Sequence, residues 1–86
     1  MQTIKSVISK YFEEISIEEL IQCFESVKDN GDIGFIKFDG ARTTDHYTVF
    51  ISTPESKSDI IRADESTLKV ALVKVLKQYV EVKKNA

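Results

Sequence analysis

The chain predicts an α+β domain: a three-stranded antiparallel sheet with N-terminal helices and a long C-terminal helix, arranged as an ααβββα sandwich. Three observations lead there. Two apolar stripes at helical spacing open the chain. Runs rich in aromatic and β-branched residues fill the middle. A third helical stripe closes it. With 86 residues there is room for one core and no second, so 1–86 is read as one domain.

The first helix is expected over 1–15, where Ile4, Val7, Ile8, Tyr11, Phe12 and Ile15 fall on one helical face. A second stripe, Ile17, Leu20, Ile21, Phe24 and Val27, would point roughly the opposite way on a continuous helix. A break between them is therefore predicted. Ser16-Ile17-Glu18-Glu19 supplies it as a capping box, with Ile15 and Leu20 at hydrophobic-staple spacing. The second helix then runs over 16–30 and stops at Asn30-Gly31.

A meander is expected over 33–63. "IGFIKF" (33–38) is the first strand, and the polar "DGARTTD" (39–45) leads to "HYTVFIS" (46–52). After the Pro54-containing loop 53–59 comes the short strand "IIRA" (60–63). The last helix, 65–84, carries Leu68, Ala71, Leu72, Val75, Leu76 and Tyr79 at core spacing. Asp64 and Glu65 stand near its start and lysines toward its end, matching the helix dipole.

Strand alternation separates two faces. Gly34, Ile36 and Phe38 join Tyr47, Val49 and Ile51 on a strongly apolar face, expected to lie under the C-terminal helix. Ile33, Phe35, Lys37, His46, Thr48 and Phe50 make a mixed face. Burying one Phe contributes ~1.5–3 kcal/mol, so two uncovered Phe are costly in a small domain. The expectation is that an N-terminal helix of the same chain covers this face, with a second subunit as the alternative.

Composition excludes several classes of function. Net charge is −2, so no global basic field attracts nucleic acid or an anionic membrane. No run approaches the ~20 apolar residues of a membrane span, and the first residues lack a signal-peptide pattern. The single Cys23 excludes an internal disulfide and a multi-cysteine zinc site. Its place on an apolar helical face predicts a buried, reduced thiol and a cytoplasmic setting. "DNGDIG" (29–34) fails the register of a calcium loop: with Gly31 as the invariant glycine, Ser26, Lys28 and Lys37 take ligand positions. Phosphate-binding and dinucleotide glycine motifs are absent from the sequence. His46 and Cys23 fall on different elements, and Glu13, Glu14, Glu18 and Glu19 read as solvated acids around a helix start. No catalytic set, cofactor or metal site is expected.

Charge is uneven along the chain. Residues 13–32 hold seven acids against Lys28 alone, while 69–84 hold five lysines and only Glu81. Such asymmetry can orient a protein partner. "STPESKS" (52–58) is rich in hydroxyls and reads as an exposed loop.

Three resemblances bear on function. "GFIKF" looks like the end of an RNA-recognition strand signature, but Gly31, Asp32 and Ile33 stand where its basic residue, glycine and first aromatic belong. The helix–strand–strand–strand–helix order resembles a double-stranded-RNA-binding domain, yet "RADESTLK" puts Asp64 and Glu65 where lysines should meet phosphates. "IIRADESTLKVALVKVLKQYV" (60–80) is similar to the phage ABA sandwich proteins in its strand, acidic–Thr–Leu helix start and Ala/Leu spacing. That resemblance implies an αβββα sandwich and a phage or prophage setting, with no activity to carry over.

The functional expectation is a non-enzymatic protein-interaction module, a phage or prophage accessory protein binding a protein partner or itself as a homodimer. The contact residues are expected to be Ile33, Phe35, Lys37, His46, Thr48 and Phe50. One alternative is single-stranded nucleic-acid binding by Phe35, Lys37 and Phe50 with Arg42 and Arg62. The other is an acidic inhibitor mimicking nucleic acid through 13–32.

Overall fold

The computed structural model describes residues 3–54 and 60–84. Helix α1 spans Ile4–Ile8 and α2 spans Ile17–Glu25. Strands β1 (Ile33–Phe38), β2 (Tyr47–Ser52) and β3 (Ile61–Glu65) follow, and α3 (Leu68–Lys84) ends the chain. The sheet is an antiparallel meander in the order β1-β2-β3, as the hydrophobic runs predict. The hydroxyl-rich loop falls largely on 55–59, outside the described residues.

The capping box forms as its spacing requires. Ser16 Oγ accepts from the Glu19 N–H at 3.1 Å, and Glu19 Oε1 accepts from the Ser16 N–H at 3.0 Å. Ile15 and Leu20, the staple pair, are both buried. The first helix is much shorter than the 1–15 its stripe predicts. Ser6 and Ser9 turn their hydroxyls onto the carbonyls of Thr3 and Ser6, and Ser9 caps the helix. Tyr11 is extended, a single 3₁₀ turn covers Phe12–Glu14, and Ile15 is extended again. The chain must leave the helical path here for Ile15 to reach the staple position. Tyr11 consequently stands 77% exposed, and Phe12 lies under the Lys69 ammonium rather than in the core.

The second helix also changes character before its expected end. After Glu25 it tightens into a 3₁₀ turn, Ser26–Asn30, where Ser26 Oγ donates to the Cys23 carbonyl at 2.6 Å. Gly31 then adopts φ 79°, the left-handed stop that glycine takes without strain. At the other end of the sheet, Asp64 and Glu65 belong to β3 and not to the start of α3. Thr67 caps α3 instead, its hydroxyl accepting from the Val70 N–H at 3.3 Å, and no acid lies in the first turn. The basic last turn, Lys83 and Lys84, is as the dipole favours.

One core gathers Val7, Ile15, Leu20, Phe24, Val27, Val49, Ile51, Ile61, Ala63, Leu72, Val75, Leu76 and Tyr79. It lies between the sheet and α3, with α1 and α2 packed on α3. Phe24 lies across Gly34, so close that a Cβ there would meet its ring at 2.7 Å. A polar cluster fastens this corner. The Tyr79 hydroxyl donates to Asp32 Oδ2 at 2.5 Å and accepts from Asn30 Nδ2 at 2.9 Å, while Lys83 Nζ lies 2.8 Å from the same carboxylate. Burial, then Asp32, pushes the Tyr79 phenol up to about 12.

The helices all lie on the Val49–Ile51 side, which corrects the expectation that an N-terminal helix would cover the mixed face. With α1 only five residues long and α2 engaged with α3, neither reaches round the sheet. Phe38 is a second correction. Its parity is that of the core face, but the helical layer stops short of it, and it stands 67% exposed with the Tyr47 ring edge-on against it.

Candidate functional site

The uncovered face is ordered in rows by the strand register. Phe35, Phe50 and Arg62 form one row, and Lys37, Thr48 and Asp64 the next. Ile33 opposes Ser52, and Ile60, just before β3, shares the parity of Arg62. One end of the face is therefore apolar and the other ionic.

At the apolar end Ile33 and Ile60 are each 58% exposed and Phe35 48%. Phe35 and Phe50 meet edge to face, with centroids 4.6 Å apart and planes at 62°. Together they form an aromatic ridge across the β1–β2 pair.

The ionic end centres on Asp64. Arg62 donates to both carboxylate oxygens, at 3.0 and 3.1 Å. Arg42 Nη1 donates to Oδ1 at 2.9 Å, and the Thr48 hydroxyl donates to the same atom. Hydrogen bonding by Arg62, then by Thr48, holds the Asp64 carboxyl well below the usual carboxylate range. Asp39 forms a second node. Lys37 lies 3.3 Å and Arg42 Nε 3.5 Å from it. The backbone N–H of Ala41, then Lys37, lowers its pKa. Lys37, Arg42 and Arg62 are thus each paired with a carboxylate on this surface.

Of the residues expected at the contact, Ile33, Phe35, Lys37 and Phe50 come together on this surface. Thr48 lies among them but is 4% exposed beneath its ionic neighbours, so it supports the face from below. His46 is exposed just ahead of β2. Its Nδ1 lies 2.9 Å from the Asp39 carbonyl, and its own carbonyl accepts from the Asp39 N–H. It closes the β1–β2 connection and makes no pair with Asp45. Ile60 and Asp64 were not among the expected residues. Alternation from Arg62 would have placed both on this face; assigning Asp64 to the helix start hid the second.

Elsewhere, Cys23 is buried and burial pushes its thiol up. Among the described residues no three His, Cys, Asp or Glu side chains cluster as metal ligands, and no helix is long and apolar enough to cross a membrane. No protein-family model matches the chain, and no significant match was found among curated proteins or among solved structures. The surface chemistry therefore carries the functional reading.

Proposed function

We propose that this chain is a non-enzymatic protein-interaction module that receives a protein partner on the open face of its sheet. The observation that carries the reading is the apolar band of Ile33, Phe35, Phe50 and Ile60, uncovered by the chain's own helices and bordered by an ionic rim. An apolar centre beside polar, pre-paired groups is the anatomy of a protein contact. The rim favours a protein over a nucleic acid. Phosphates would have to compete with Asp39 and Asp64 for every cation of the face, and the two rings pack on each other instead of offering flat platforms. The acidic stretch 13–32 offers less to a basic partner than its letters suggest. Glu19 is engaged by Lys10, Glu25 by Lys28, and Asp32 by Tyr79 and Lys83. The similarity of 60–80 to phage ABA sandwich proteins supports a phage or prophage setting, and the buried free thiol of Cys23 fits the cytoplasm.

The test is affinity capture from host lysate with wild-type protein and with the double variant Phe35→Ser/Phe50→Ser, both shown to be folded by circular dichroism. Proteins retained by wild type and lost by the variant are expected. Identical retention by both would overturn the face as the contact surface.

A further inference from the structure

The two edges of the sheet are built differently. In β3, three of five residues are charged: Arg62, Asp64 and Glu65. Charge on an edge is how sheets resist further pairing. The other edge, β1, has a single charge, Lys37, with no proline and an unbroken register over its six residues. Ile33, Phe35 and Phe38 on it are all substantially exposed.

The direction of its free hydrogen-bonding groups follows from the ladder. Asp39 donates to the His46 carbonyl, so 39 and 46 are a hydrogen-bonded pair. Such pairs alternate along an antiparallel ladder, so 33, 35 and 37 turn their N–H and C=O groups to β2. Residues 34, 36 and 38 turn theirs outward, and among the described residues nothing bonds to them.

We propose that this edge seats a second copy of the chain, β1 against β1 antiparallel, making a continuous six-stranded sheet about a twofold at Ile36. This rests on the reading of the chain as an interaction module but uses the sheet edge rather than its face. The chemistry selects the register. Faces match across the join only if residues of equal parity oppose. Centring on Lys37 sets it against the partner's Lys37, which like charges disfavour. Centring on Phe35 would pair Phe38 with the partner's Asp32, whose N–H is already given to the Val27 carbonyl. Centring on Ile36 lets each free group find one. Gly34 pairs with the partner's Phe38, Ile36 with the partner's Ile36, and Phe38 with the partner's Gly34. On the open face Lys37 then lies opposite the partner's Phe35, ammonium beside ring, and the reciprocal contact repeats it. On the helical side the exposed Phe38 ring lands beside the partner's Gly34, where it meets the Phe24 ring that fills the space of the missing side chain.

Sedimentation velocity over micromolar to millimolar concentrations tests the proposal, with wild type, Phe38→Pro and Ile60→Lys compared. Phe38→Pro removes an outward N–H and the ring without touching a bond to β2. Ile60→Lys disrupts the open face on its β3 side, away from the β1 edge. A reversible dimer is expected for wild type and for Ile60→Lys, and at least tenfold weaker association for Phe38→Pro. Circular dichroism confirms folding of each variant. Under mild oxidation, Ile36→Cys is expected to crosslink and Phe35→Cys is not. A wild-type monomer throughout overturns the edge dimer and leaves the face reading standing. A dimer lost in Ile60→Lys and kept in Phe38→Pro also overturns it, in favour of face-to-face packing.

Discussion

At the scale of single residues, Asp64 shows most about what letters conceal. Its place in the order of residues is next to a helix, and an acid there is ordinarily a dipole partner. In the fold it ends up between two guanidiniums and a threonine hydroxyl, drawn from three different segments. Local spacing cannot report such a convergence, because Arg42 and Thr48 reach it only through strand register. The consequence is a defined acid sensitivity. The folded-state pKa of Asp64 is depressed, so its stabilising contribution is full above the unfolded value of about 3.9 and is lost as pH falls toward the folded value. Thermal melts of wild type are expected to show a falling Tm below about pH 4. In Asp64→Asn the melting temperature should be lower at neutral pH and should flatten over that acid range.

At the scale of elements, legibility followed the range of the interactions involved. The break before the second helix was readable because the capping box is completed within four residues. Replacing Ser16 by Ala is expected to cost about 1 kcal/mol in denaturant unfolding, while Ser16→Gly should recover much of the loss, since glycine tolerates the cap conformation. The length of the first helix was not readable in the same way. Its stripe is regular through Ile15, but the Ser6 and Ser9 hydroxyls bond back to earlier carbonyls and the staple pulls Ile15 off the helical path. Phe38 failed for a related reason. Alternation correctly fixes which side of the sheet it occupies, and only the reach of the helical layer decides whether that side is covered there.

At the scale of the whole molecule, two layers suffice. The Cα envelope is 18 Å along its shortest axis, the thickness of one sheet and one helical layer. The fold class was legible because three amphipathic helices and three strands admit few arrangements in a chain of this size. Which face stayed open was not, because it depends on the helices preferring α3 to the second side of the sheet. Burial is distributed unequally in this arrangement. Six residues of α3 are buried, whereas α1 buries Val7 alone. Native-state hydrogen exchange is expected to show α3 and β2 amides exchanging only through global unfolding. The α1 amides should open locally, at a free energy at least ~2 kcal/mol smaller.

Placing every helix on one side has a further consequence for the proposed edge dimer. Copies joined along β1 by a twofold perpendicular to the sheet would turn their open faces the same way. The proposed dimer would present two identical patches on one continuous surface. A target carrying repeated epitopes, such as a symmetric assembly, would be gripped at both, the second engagement occurring at an effective concentration that can reach ~mM. Modest individual affinity would then become lasting avidity, and selectivity would follow the spacing of sites on the target as much as their chemistry.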